Sequence, residues 1–186
     1  TSRLKLTTGL RQSWDRKTYN ARYHGGGMVQ TDSRKLDDSF TTGRIGLSYA
    51  LTQQATLYAT YARGYNPGGF NDYAAQPDDS KPYKAAKTDS FEVGFKTDSA
   101  DGQYGLNGAV YLNRVRNNHL LSYDSATYVV SALNADTESR GAELQAVWRP
   151  GDGLAFTAGV SFIDAQIKTA VHGIGDGDVQ AGNRVP

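Results

Sequence analysis

Three stretches of this chain alternate strictly between apolar and polar residues, and each does so over nearly the same length. In residues 104–114, Tyr104, Leu106, Gly108, Val110 and Leu112 share one parity, while Gly105, Asn107, Ala109, Tyr111 and Asn113 share the other. In residues 141–149, Ala142, Leu144, Ala146 and Trp148 oppose Gly141, Glu143, Gln145 and Arg149. In residues 154–162, Leu154, Phe156, Ala158, Val160 and Phe162 oppose Ala155, Thr157, Gly159 and Ser161. A period of two predicts strands with one apolar face. The apolar parity ends each time in polar side chains: Arg114 and Arg116, Arg140 and Glu138, Asp164 and Gln166. Bands of about 9–11 residues match a tilted strand crossing a bilayer. Tyr104 and Trp148 stand at one rim, where an interfacial aromatic girdle belongs.

A soluble antiparallel sandwich also alternates, but its strands are usually shorter, about 5–6 residues. Its polar faces meet water and carry many charges. Here the polar parity is mostly Gly, Asn, Ser, Thr and Ala with scattered Arg and Glu, which suits a barrel lumen. The 21 Gly and 12 Tyr beside only 5 Pro and 1 Met favour an all-β chain. A mean hydropathy of −0.57 fits, because a barrel shows lipid only every second residue. No apolar run approaches the ~18 residues of a transmembrane helix. With 20 basic and 19 acidic residues the net charge is +1, so no global field recruits nucleic acid. The absence of cysteine excludes disulfides and thiolate metal sites.

Seven strands are expected, over residues 3–11, 40–51, 55–63, 89–97, 103–122, 128–149 and 154–168, with an eighth beginning after Asn183. In the third, Leu57, Ala59 and Tyr61 are expected outward, although Tyr58 on the other parity is as good a lipid-facing residue. Short, turn-rich connections (52–54, 98–102, 150–153) alternate with long ones (12–39, 64–88, 169–182). The exception, residues 123–127, joins the two longest strands, which are expected to project beyond the membrane. Short turns on one side and long loops on the other is the plan of an outer-membrane barrel. Thr1 is no initiator and no signal peptide precedes the first strand, so the chain reads as an interior slice of a longer protein.

Several motifs, in order, resemble the TonB-dependent outer-membrane receptors. The first is the run from Tyr58 to Asn71, which contains Gly64-Tyr65-Asn66-Pro67-Gly68-Gly69-Phe70-Asn71. Asp89-Ser90-Phe91-Glu92-Val93-Gly94-Phe95-Lys96-Thr97 follows, then Asn107-Gly108-Ala109-Val110-Tyr111. Asn134-Ala135, Ser139-Arg140-Gly141-Ala142-Glu143-Leu144, Ile163-Asp164-Ala165 and Gly182-Asn183-Arg184-Val185-Pro186 complete the series. The resemblance covers nearly everything from Phe40 onward, and its glycine-rich version is closest to ferric-siderophore receptors. It implies an all-β, antiparallel transmembrane barrel segment. Residues 1–186 would then supply seven to eight strands of a plugged barrel of about 22 strands. It implies a bacterial outer-membrane location, a ferric siderophore or similar iron chelate as ligand, and energy from TonB and its inner-membrane complex acting on a plug outside this chain. Iron enters only as part of the transported chelate, and no cofactor is implied. A passive porin and a soluble sandwich binding module are the rival readings.

Nothing in the sequence carries catalysis. His24, His119 and His172 are scattered near expected loops, with neither a nucleophile elbow nor a His-Glu-x-x-His pattern. Residues 173–178 resemble a single imperfect copy of a calcium-binding Gly/Asp repeat and read as a loop tip. Exposed loop aromatics are the candidate ligand contacts: Tyr65 and Phe70, flanking the glycine-rich turn, then Tyr73, Tyr19, Tyr23 and His24. On the polar parity, Arg44, Glu92, Lys96, Glu143 and Arg149 are expected to face the lumen and a plug within it.

Overall fold

A computed structural model describes residues 3–25, 27–71, 82–126, 128–151, 153–171 and 179–185, and among these it contains no helix. The strands are β1 (Leu4–Gly25), β2 (Met28–Ala50), β3 (Ala55–Asn66), β4 (Gly69–Phe70), β5 (Pro82–Tyr83), β6 (Ala86–Asp98), β7 (Tyr104–Asp124), β8 (Val129–Gly151) and β9 (Leu154–Ile167). Seven of them form one sheet in the order β1-β2-β3-β6-β7-β8-β9, and β4 and β5 form a separate ribbon. Every neighbouring pair is antiparallel. The sheet is an open arc of barrel wall. Where an eighth strand is expected there is one isolated antiparallel bridge, Gln166 to Arg184, in which Val185 N–H donates to Ala165 O at 3.1 Å and Ile167 N–H donates to Asn183 O at 2.8 Å.

The largest departure from expectation lies at residues 12–39, which are not a loop. β1 and β2 stay paired from Leu4↔Tyr49 to Gly25↔Met28, an uninterrupted ribbon. Its outward parity on β1 there carries one aromatic, Trp14, among Gln12, Arg16, Thr18, Asn20 and Arg22, so it lacks the apolar alternation that marks the wall below. The β7–β8 hairpin also extends far, as expected, with a bulge between Val115 and Asn118 where Asn117 adopts φ 53°. The connection 64–88 also contains strand: β3 runs on to Asn66, β6 begins at Ala86, and the β4–β5 ribbon lies between.

Register fixes which side chains share a face. One row reads Leu6, Leu47, Ala59, Val93, Val110, Ala142 and Phe162, strand after strand. The adjacent parity reads Lys5, Ser48, Tyr58, Gly94, Ala109, Glu143 and Ser161. On the first face large apolar side chains stand open, Val110 at 57 % and Val160 at 68 % exposure, which in water would be a severe liability and in lipid is none. The apolar band crosses the register obliquely. Its upper edge is Leu10 on β1, opposite Gly43 rather than Ile45, but on β9 it has dropped to Phe162, two rows lower. Its lower edge drops likewise, from Leu4 on β1 to Leu154 on β9. A band of constant height drawn across tilted strands must slip in this way. Tyr58 falls on the lumen parity, which settles the choice left open for β3.

Candidate ligand-binding mouth and lumen wall

On the lumen parity, Arg44, Glu92, Lys96 and Glu143 stand on β2, β6 and β8, and Tyr58 on β3 lies among them. Lys96 Nζ sits 5.8 Å from the centre of the Tyr58 ring, a cation–π distance. Tyr58 divides two shallow hollows. One, with Asn107, Glu143, Gln145 and Ser161, has a volume of about 440 Å³. The other, with Thr7, Arg44, Ser48 and Thr60, has about 190 Å³. Arg149 stands apart from this group: its Nη1 donates to Gly102 O at 3.1 Å, at the short-turn end of the strands.

At the opposite end the glycine-rich turn folds into a strap across the sheet. Its first anchor is β1, where Lys17 Nζ donates to Gly68 O at 2.5 Å and Tyr19 stacks on Phe70 with centroids 5.2 Å apart. Tyr19 and Tyr23 touch through their hydroxyls at 3.1 Å. The second anchor is the β7–β8 extension. His119 Nε2–H donates to Lys84 O at 2.8 Å, its Nδ1 accepts from Asn66 Nδ2 at 3.2 Å, and its ring meets Tyr83 edge-on at 4.8 Å. Asn134 Nδ2 donates to the same Lys84 carbonyl at 2.9 Å while its Oδ1 accepts Lys84 N–H at 2.7 Å. Asn71 accepts from Ala132 N–H at 2.7 Å and donates to Ala132 O at 3.2 Å, so its amide imitates a neighbouring strand where β9 no longer pairs with β8. Pro67 and the adjacent glycines permit the approach: a Cβ on Gly68 would lie 2.4 Å from Tyr83 O.

Tyr65 does not sit with Phe70. It stacks on Phe40, centroids 4.1 Å apart, where β2 leaves β3, and Phe40 is only 8 % exposed. Lys87 Nζ caps that ring at 5.7 Å. The sequence candidates therefore separate into Tyr19, Tyr23 and Phe70 in one cluster and Tyr65 in another. His24 lies on the opposite parity of β1 from Tyr19 and Tyr23, and is exposed. Tyr73 and His172 lie outside the described residues, as does the 173–178 segment. Tyr19, Tyr23 and His24 are strand residues, not loop residues. His119 lies within the expected strand 103–122, near its loop end, and pins the strap, a role the sequence did not suggest. Phe40, Lys17, Asn71 and Asn134 were also missed. Asn71 and Asn134 carried a signal, each as part of a receptor-like motif. No group of His, Cys, Asp and Glu among the described residues is placed to hold a metal ion.

The arrangement is a wall with a polar lumen, a lipid face and an aromatic, cation-bearing strap at one end. Comparison with known proteins agrees. The model of the family described as TonB dependent receptor-like, beta-barrel matches residues 1–186. The chain is 28 % identical over 189 residues to the pesticin receptor of Yersinia pestis, covering 100 % of this chain and 26 % of that protein. It is 24 % identical over 159 residues to the metal-pseudopaline receptor CntO of Pseudomonas aeruginosa, covering 86 % of this chain and 22 % of that protein. Among solved structures, the ferric yersiniabactin uptake receptor FyuA from Yersinia pestis superposes with a TM-score of 0.75 at 25 % identity, over 90 % of this chain and 25 % of that one. The siderophore receptor PiuA from Acinetobacter baumannii shares the fold, with a TM-score of 0.69 at 19 % identity over 99 % of this chain and 27 % of that one. The chain thus spans about a quarter of the length of the relatives it matches. It is a stretch of barrel wall belonging to the TonB-dependent receptor family, receptors rather than enzymes, whose barrels lie in the bacterial outer membrane.

Proposed function

We propose that the parent protein takes up a ferric siderophore or similar iron chelate at its outer mouth, energised by TonB and its inner-membrane complex acting on a plug. The observation that carries this reading is the strap. Phe70, Tyr19 and Tyr23 lie on it or against it, with Lys17 beside them, on the lumen parity of the long β1–β2 ribbon. Flat aromatic surface suits a bulky, partly aromatic metal chelate, and the Lys17 cation beside it is paired with Asp15 at 3.3 Å. Relatives named for ferric yersiniabactin and for siderophores support the ligand class. In this reading the Arg44, Glu92, Lys96 and Glu143 face meets the plug.

The test is binding of ferric siderophores to the purified full-length parent, followed by quenching of intrinsic fluorescence. The Tyr19→Ala/Phe70→Ala variant should bind about tenfold more weakly, since each aromatic contact contributes roughly 0.5–1.5 kcal/mol. Tyr65→Ala should change affinity less, because its ring is engaged with Phe40. Unchanged affinity in a folded double variant would move the site elsewhere. Failure of the wild type to bind any iron chelate would sink the ligand class.

A further inference from the structure

The β1–β2 ribbon rises beyond its pairing with β3, which ends at Gly43↔Arg63, and there two aspartates face each other across it. Asp15 and Asp38 are direct register partners, on the parity that carries Lys17 and Tyr19. Like charges directly opposite on a strand pair destabilise it. Higher on the same face acid is answered by base, since Arg34 holds Asp32 at 2.8 Å. The Asp38 carboxylate has no ion-pair or hydrogen-bond partner among the described residues. Asp15 has only Lys17, whose Nζ lies 3.3 Å from Oδ2 without forming a hydrogen bond to it. That ammonium donates instead to Gly68 O of the strap, at 2.5 Å. One shared cation thus faces two carboxylates.

A second, independent observation falls on the same spot. Among the described residues, the buried side-chain oxygens left without a hydrogen-bond partner are Ser13 Oγ and Asp15 Oδ2. They stand two residues apart on one face of β1, and Ser13 is the diagonal neighbour of Asp38 across the pair. Ser13 is only 9 % exposed, closed in beside its register partner Phe40. Buried polar atoms are almost always satisfied, and an orphaned one calls for a water or an ion. Water would serve the hydroxyl but leave the facing charges unneutralised. A cation serves all three residues.

The donor set narrows the choice of cation. Oxygen ligands alone, two of them carboxylates, select a hard ion over the metals that prefer nitrogen or sulfur. The Cβ atoms of facing residues stand about 4.5–5.5 Å apart, so both carboxylates can reach one ion between them. Calcium accepts an irregular set of oxygens at about 2.3–2.6 Å and completes its sphere with water, whereas magnesium demands a near-ideal octahedron. Two acids fall short of the three His, Cys, Asp or Glu side chains that would hold a metal by themselves. Ser13 supplies the third oxygen.

We propose that Ser13, Asp15 and Asp38 bind a calcium ion that joins β1 to β2 just beneath the strap. Lys17 then gives up Asp15 and keeps Gly68 O. The affinity should be that of extracellular calcium modules, with Kd about 10⁻⁴–10⁻³ M. The proposal rests on the long-hairpin end of the wall lying outside the cell, and is independent of which chelate is carried.

The experiment uses the full-length parent in neutral detergent, stripped of metal and dialysed against radioactive calcium chloride at fixed ionic strength. The rest of the parent can bind calcium too, so the count is read as a difference. Asp38→Asn should hold one calcium fewer than the wild type, and Ser13→Ala should hold that ion more weakly. Asp32→Asn, which removes an acid already paired with Arg34, should keep the full count. Melting of the barrel, followed by its heat-sensitive gel shift, gives a second readout. Calcium should raise the melting temperature of the wild type and leave that of Asp38→Asn unchanged. Without calcium, Asp38→Asn should melt no lower than the wild type, since it removes a repulsion and no contact. Equal calcium counts in the wild type and Asp38→Asn would overturn the proposal, as would an equal drop in Asp32→Asn. Full displacement by equimolar magnesium would overturn it too. So would a calcium-free Asp38→Asn that melts lower or fails to fold, because its carboxylate would then be holding something else. Failure to bind iron chelates would leave the calcium count unaffected.

Discussion

Tyr58 lies across Gly94 on the lumen face: a Cβ at that glycine would stand 2.6 Å from the tyrosine hydroxyl and 2.6 Å from the Gly108 carbonyl. The two residues are direct register partners on β3 and β6. Tyr111 and Gly141 repeat the arrangement on β7 and β8, with the hydroxyl 2.5 Å from the glycine's would-be Cβ. An aromatic ring laid over a bare glycine covers backbone that would otherwise be open and locks the register of the pair.

Gly94→Ala and Gly141→Ala should therefore each destabilise the barrel by about 1–3 kcal/mol, the usual cost of overpacking. Backbone as well as ring blocks the added methyl, so rotating the tyrosine cannot relieve it fully. Gly64→Ala, with nothing within 4 Å, should stay within about 0.5 kcal/mol of wild type. Urea titration of the refolded parent checks all three. A neutral Gly94→Ala would show that the tyrosine does not rest there.

Val110→Arg or Val160→Arg places a cation in the apolar band, at a cost of about 2–4 kcal/mol if it lies near mid-bilayer. Asn107→Arg, on the lumen parity beside Gln145, should cost much less. The comparison is made by denaturant unfolding in lipid vesicles. Equal losses at all three sites would mean that the two parities do not face different solvents.

What the sequence made legible was whatever the bilayer imposes. Alternation with an apolar face located β7, β8 and β9, and with them the parity that Val110 and Leu144 share. Above the membrane water wets both faces of a ribbon, so the polar run from Gln12 to Ser39 carried no periodic signal and read as a loop. Tyr58 was ambiguous because tyrosine suits lipid and lumen alike; only its pairing with Gly94 decides. The strap was invisible for another reason. Its anchors at Lys17, His119 and Asn134 lie about 50 residues from their partners in two cases and 35 in the third, so local pattern cannot reveal them.

The turn between β6 and β7 supplies a pH test outside the membrane. The Ser99 hydroxyl and the Gln103 backbone N–H both donate to the Asp101 carboxylate and hold its pKa below the usual value. A depressed carboxylate stabilises the turn above its unfolded pKa, about 3.9, and that contribution is lost as pH falls through the lower folded value. The turn should thus loosen only below about pH 4. Asp101→Asn should flatten that dependence, read as amide exchange at Gln103 and Tyr104 in the parent. An Asp101→Asn variant with the same low-pH loosening would place its origin elsewhere.

The long hairpins should lie outside the cell and the short turns inside. A cysteine introduced at Gly27, in the β1–β2 turn, should react with a membrane-impermeant maleimide on intact cells. One at Ala100 should react only after the outer membrane is opened. Labelling of Ala100→Cys on intact cells would invert the barrel.

The strap should be held by its far anchor more than by its stacking. His119→Ala removes the hydrogen bonds to Lys84 O and Asn66 and the edge contact with Tyr83. Asn71→Ala frees both groups of Ala132. A hydrogen bond contributes about 0.5–1.5 kcal/mol net, so each variant should raise the strap's opening equilibrium by roughly one order of magnitude. The two together should do more than either alone. The readout is amide exchange at Gly69 and Phe70, with the Val93 and Val110 amides in the wall as unchanged references. Because Phe70 rests on Tyr19 only while the strap is down, loosening the far anchor should also weaken chelate binding without touching an aromatic residue. Tighter binding in the His119→Ala variant would mean the strap obstructs the mouth instead of forming its binding surface.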